Sequence, residues 1–108
     1  MTDAQTSQTF ENRGLVFRVQ MRPGNPVHPG EMLREEFLAP AAISQRAFAQ
    51  KLGWTVAKLN ELINGKRGIT ADSALDLAKA LRTSPELWMN LQMYYDLHKA
   101  ELRRKKAS

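Results

Sequence analysis

The side chains of this 108-residue chain that could do chemistry do not form a catalytic set. With no cysteine there is neither a disulfide nor a thiolate metal site. His28 and His98 stand far apart in sequence, and no carboxylate–histidine spacing of a metal site links them. No nucleophile–base pair and no phosphate-cradling glycine loop is present. The chain therefore reads as no enzyme, with no metal, cofactor or small-molecule ligand. What remains is a run of amides, hydroxyls and cations from Thr55 to Arg67. Thr55, Val56, Ala57, Lys58 and Glu61 would share one side of a helix, opposite Leu59 and Leu62. Asn60, Asn64, Lys66 and Arg67 follow at its end and in the loop beyond. Lys58 can donate to guanine, and Val56 and Ala57 can touch a thymine methyl but cannot hydrogen-bond a base. Lys66 and Arg67 are the phosphate candidates, with Asn60 and Asn64 beside them. Glu61 could accept from a cytosine amino group, yet its charge is unfavourable near phosphates. Base reading of this kind is thin, so specificity would lean on DNA shape and half-site spacing.

Two short helices must position these groups. Ser44 is a good N-cap, Phe48, Ala49 and Leu52 give an apolar face, and Gly53 can take the positive φ that ends the helix. Thr55 supplies a second cap two residues later. Leu59, Leu62 and Ile63 form the buried stripe of the second helix, and Gly65 closes it. Ala49 is small where the two should cross, and Trp54 reads as packing at the turn. Short helices, a tight turn and close approach are the requirements of a helix-turn-helix, whose second helix can enter a DNA major groove.

The remaining elements frame this pair. A first helix is expected from Pro29, with His28 as its cap or a surface side chain, ending at Pro40. After the basic loop Ile69 returns to the core. Thr70 caps a fourth helix whose buried side is Ala74, Leu75, Leu77, Ala78 and Leu81. Ser84-Pro85-Glu86 starts a fifth helix running to about Arg104. It carries Leu87, Trp88, Leu91, Tyr94, Tyr95, His98 and Leu102, too many large groups for one small domain to cover. Tyr94, Tyr95, His98 and Leu102 are therefore the expected dimer interface. The fold class is all-α: five helices behind an N-terminal arm. Residues 1–24 form that arm, 25–98 the helix-turn-helix domain and 99–108 a basic end. Residues 1–13 are polar and read as disordered. Residues 15–21 alternate Leu15, Phe17, Val19 and Met21 with polar groups and read as a short strand without a partner in its own chain.

Formal charge is +5, but residues 99–108 hold five basic groups and one acidic, leaving a net +1 for the rest. DNA affinity must then come from local placement and from a dimer. No apolar run approaches the ~18 residues of a membrane span and no leader is evident, so the expected place is the cytoplasm.

His28 to Leu38, Asn64-Gly65-Lys66-Arg67-Gly68-Ile69-Thr70, and Ser84 to Gln92 with Tyr95-Asp96-Leu97 behind it resemble three motifs of HigA-type antitoxins, in the same order. The resemblance covers roughly residues 25–100 and belongs to the repressor-like (XRE) helix-turn-helix class. It implies a five-helix domain, a homodimer, binding to operator DNA that represses its own operon, and neutralisation of a HigB-type mRNA-cleaving toxin. It places Gln45, in the first turn of the second helix, on a phosphate. It does not reach residues 1–24, and Leu15, Phe17, Val19 and Met21 are the expected toxin contacts only because their strand lacks an internal partner. Two alternatives stand: a stand-alone repressor without a toxin, and a protein-interaction module whose DNA face has decayed.

Overall fold

The computed structural model describes residues 7–12, 15–20 and 26–107. The chain runs β1 (Ser7–Asn12), β2 (Leu15–Gln20), α1 (Pro29–Met32) continued by a π-helical turn (Leu33–Leu38), α2 (Gln45–Leu52), α3 (Val56–Ile63), α4 (Ala71–Leu81) and α5 (Pro85–Ala107). The all-α domain of five helices is thus present, preceded by a hairpin.

The hairpin corrects two expectations. Ser7–Asn12, placed in a segment expected to be disordered, is a strand, and it pairs antiparallel with Leu15–Gln20, Phe10 opposite Phe17. The strand at 15–20 therefore has a partner within its own chain. Ser7–Asn12 is polar apart from Phe10, so no alternation marks it. Its ladder bonds with β2 supply what its side-chain pattern does not. β1 runs beside α5. Met21 and the disorder expected for residues 1–6 and 13 lie outside the described residues.

Each later helix is capped as its sequence demands. His28 caps α1 through Nδ1, which accepts from Gly30 N at 2.9 Å, with Pro29 at the first position. Ser44 accepts from Ala47 N at 3.1 Å and Thr55 from Lys58 N at 3.0 Å. At α4 the box is reciprocal: Thr70 Oγ1 accepts from Ser73 N and Ser73 Oγ from Thr70 N. Ser84 accepts from Leu87 N at the start of α5.

The first helix does not run to Pro40 as an α-helix. It widens at Leu33–Leu38, where Ala39 N donates five residues back to Arg34 O at 2.8 Å. Leu33 and Leu38 are both buried there. Leu33, Phe48, Leu59, Leu62, Leu77, Leu87 and Trp88 form the centre of the core. Trp88 satisfies its buried indole N–H on Thr83 Oγ1 at 2.8 Å. Leu75 corrects another expectation: it is 57 % exposed, because α4 turns Ala74, Leu77 and Ala78 inward instead. Among the described residues no helix is long and apolar enough to cross a membrane.

Candidate nucleic-acid interface

Gly53 ends α2 with φ 75°, Thr55 opens α3, and the two helices meet as a helix-turn-helix. α3 buries Leu59, Leu62 and Ile63, which leaves Thr55, Val56, Ala57 and Asn60 exposed and Lys58 and Glu61 half-buried at the edges. A chain of amides fixes this helix to α2. Asn64 Nδ2 donates to Asn60 Oδ1 at 3.0 Å, and Asn60 Nδ2 donates to Gln45 Oε1 at 3.1 Å. Gln45 acts as an acceptor in this chain, which leaves its amide nitrogen able to donate elsewhere.

The turn is pinned from the other side. Trp54 Nε1 donates to Asp76 Oδ2 on α4 at 2.9 Å, and the Lys58 ammonium lies 4.2 Å from the Trp54 ring centroid. Lys58 thereby gains a resting place on an aromatic face. Trp54 is the packing residue expected. Beyond α3, Lys66 and Arg67 are both exposed. Arg67 donates through Nη2 and Nε to one oxygen of Glu61, at 2.7 and 3.1 Å. The unfavourable carboxylate of the reading helix is thus balanced within the chain. Gln45, Asn60 and Asn64 make one connected group, and Glu61 and Arg67 make a pair.

A helix-turn-helix family model matches residues 33–88. The chain is 44 % identical over 72 residues to antitoxin HigA-1 of Vibrio cholerae, covering 67 % of this chain and 68 % of the relative. It is also 44 % identical over 75 residues to virulence-associated protein I of Dichelobacter nodosus, covering 69 % of each. The solved structure of Pseudomonas aeruginosa antitoxin HigA with the higBA promoter superposes with a TM-score of 0.72 at 41 % identity, over 77 % of this chain and 90 % of that one. The chain belongs to the HigA-type antitoxins of the helix-turn-helix family.

The residues of this HigA-type chain expected to meet a second protomer divide. Tyr94 is 36 % exposed, whereas Tyr95, His98 and Leu102 are half-buried within the protomer. Tyr95 stands edge-on to the His28 ring, centroids 4.7 Å apart. The large apolar groups left exposed on α5 are instead Met89, Met93 and Leu97, at 41, 46 and 54 %. Their four-residue spacing is a helical-face signal that the more conspicuous aromatic residues masked. Of the expected toxin contacts, Leu15, Phe17 and Val19 lie on β2, paired with β1, and Met21 falls outside the described residues. Among the described residues no group of three or more His, Asp or Glu could hold a metal ion.

Proposed function

We propose that this chain is the DNA-binding antitoxin of a toxin–antitoxin pair, repressing its own operon as a homodimer and neutralising a HigB-type mRNA-cleaving toxin by binding it. The observation that carries the DNA half is the amide chain Gln45–Asn60–Asn64, which fixes the reading helix at hydrogen-bond distances. Such a helix enters a major groove without reordering its own support. Two solved relatives, one with the higBA promoter and one, antitoxin GraA, in complex with its operator at 41 % identity, support the same use here.

In this reading Gln45, Asn60, Asn64, Lys66 and Arg67 meet phosphates, and Thr55, Val56, Ala57, Lys58 and Glu61 face the base edges. Two protomers, joined through the exposed Met89, Met93, Tyr94 and Leu97 of α5, would span half-sites ~34 Å apart or a multiple of it. Tyr95, His98 and Leu102 support that face from within the protomer. For the toxin we propose the N-terminal hairpin, with Leu15, Phe17 and Val19 on β2 and Met21 beyond it. A hairpin presents strand edges that can pair with another chain.

Co-expression with the adjacent reading frame, one of the two tagged, tests the assignment. A stoichiometric complex, lost when residues 1–24 are deleted, supports the antitoxin and its arm. A complex that survives the deletion moves the toxin contact to the helical domain. No complex, with promoter DNA still shifted, leaves a stand-alone repressor. No shift at low salt sinks the DNA half.

A further inference from the structure

The basic loop between α3 and α4 is held from behind. His28, buried at 8 % exposure, accepts from Gly30 N through Nδ1, so the neutral ring carries its hydrogen on Nε2. Gly65 lies over the same ring, where an added Cβ would be 3.8 Å away, and Tyr95 of α5 meets it edge-on. Further along the loop, Gln92 Oε1 accepts from Ile69 N at 2.7 Å, and Gln92 Nε2 donates to Asp96 Oδ1 at 2.9 Å. The loop backbone is therefore held twice, at Gly65 by the ring that caps α1 and at Ile69 by α5.

The geometry points to His28 as a positioning residue for DNA binding: its neutral ring sets the backbone that aims Lys66 and Arg67, and a second proton releases it. This rests on the proposed contact between the loop and phosphates. A proton on Nδ1 turns an acceptor into a donor facing the Gly30 N–H, which breaks the cap. The charged groups around the ring are Asp96 and Lys99 of α5 and Glu31 of α1, with the Arg67 carbonyl from the loop. Burial is the largest influence and holds the pKa below the ordinary 6.5, against Asp96, the Arg67 carbonyl and Glu31, while Lys99 lowers it further. Protonation of the unfolded chain therefore precedes that of the folded one. The stability His28 contributes is complete above pH 6.5 and is lost as pH falls from there through the folded pKa. Nearby phosphates oppose this by favouring a charged ring. One added cation is worth about one counterion, however, and a released loop forfeits two.

The test is an amide NMR titration of the full chain, followed by binding of a labelled mixed-sequence duplex at low salt between about pH 7.5 and 5.5. The Lys66, Arg67 and Gly68 amides are expected to shift with the midpoint of the His28 ring protons. Duplex affinity should fall below pH 6.5 in step with the His28 ring titration, by roughly tenfold for each pKa unit of coupling. His28→Asn keeps a capping oxygen without a titrating ring and should lose the fall. Loop amides indifferent to His28, or the same acid loss in His28→Asn, would overturn the inference. Absence of duplex binding at every pH would instead sink the DNA reading, with the amide titration still deciding the coupling.

Discussion

Under the proposed phosphate contacts, Glu61 would set how much of the positive charge at the end of α3 reaches DNA. Arg67 spends two N–H groups on a single Glu61 oxygen, and both side chains are 46 % exposed. An exposed pair is screened and weak, about 0.5 kcal/mol, so phosphates can compete for the guanidinium. Glu61→Gln should therefore tighten binding to mixed-sequence DNA a few-fold and steepen the log–log salt slope by up to about one. Fluorescence anisotropy at a series of salt concentrations checks this. Unchanged affinity would mean that the pair persists on DNA and Arg67 is not a phosphate contact. Lys66→Ala with Arg67→Ala should weaken all sequences alike and flatten the slope by about two. Arg67→Ala alone should cost more than Lys66→Ala, because it also leaves Glu61 unbalanced.

At the scale of elements, two glycines carry opposite lessons. Gly30 lies where α1 crosses α3, and a Cβ there would collide with the backbone carbonyl of Leu62. Neither backbone can yield without moving a buried helix, so Gly30→Ala should destabilise by about 3 kcal/mol. Gly53 has open space around it but a φ of 75°, so Gly53→Ala should cost only about 1 kcal/mol, the left-handed backbone alone. Urea midpoints of the two variants separate the cases, and equal losses would contradict the assigned crossing. The helix-turn-helix and its caps were legible in the sequence because each cap is a local interaction between residues two or three apart. Ser44, Thr55, Thr70 and Ser84 all cap the helices they were expected to cap. The π-helical turn was not legible, since Leu33–Leu38 has ordinary helical composition and widens within the packed domain. Nor was the end of α4, where Arg82 rather than a glycine takes φ 58°. Ser7–Asn12 was missed because its partner strand, not its own pattern, makes it a strand. In the site, the outward row of α3 could be read from helical period. The amide chain and the Arg67–Glu61 pair could not, because they depend on side-chain choices across a turn.

For the whole molecule, the small net charge outside residues 99–108 makes doubling essential. In the proposed reading one protomer would offer few phosphate contacts, and a second would bring an equal set to the other half-site at a fixed spacing. The exposed row Met89, Met93 and Leu97 on α5 is the surface that a second copy would cover. Met93 and Leu97 are 46 and 54 % exposed, so replacing them should leave the protomer folded, within about 0.5 kcal/mol. Met93→Asp with Leu97→Asp places like charges face to face across a two-fold seam. The expected product is a folded monomer in sedimentation velocity whose operator affinity falls at least about a hundredfold, a central hot-spot loss. Tyr95→Ala would be a poorer test, because Tyr95 packs on His28 and its loss would disturb the protomer itself. If the Met93→Asp, Leu97→Asp protein remains dimeric, the seam does not lie on this row. The hairpin becomes the next place to look, since either of its outer edges could pair with its copy. A folded monomer that keeps full operator affinity would show instead that one protomer, sparse charge notwithstanding, binds DNA without its pair.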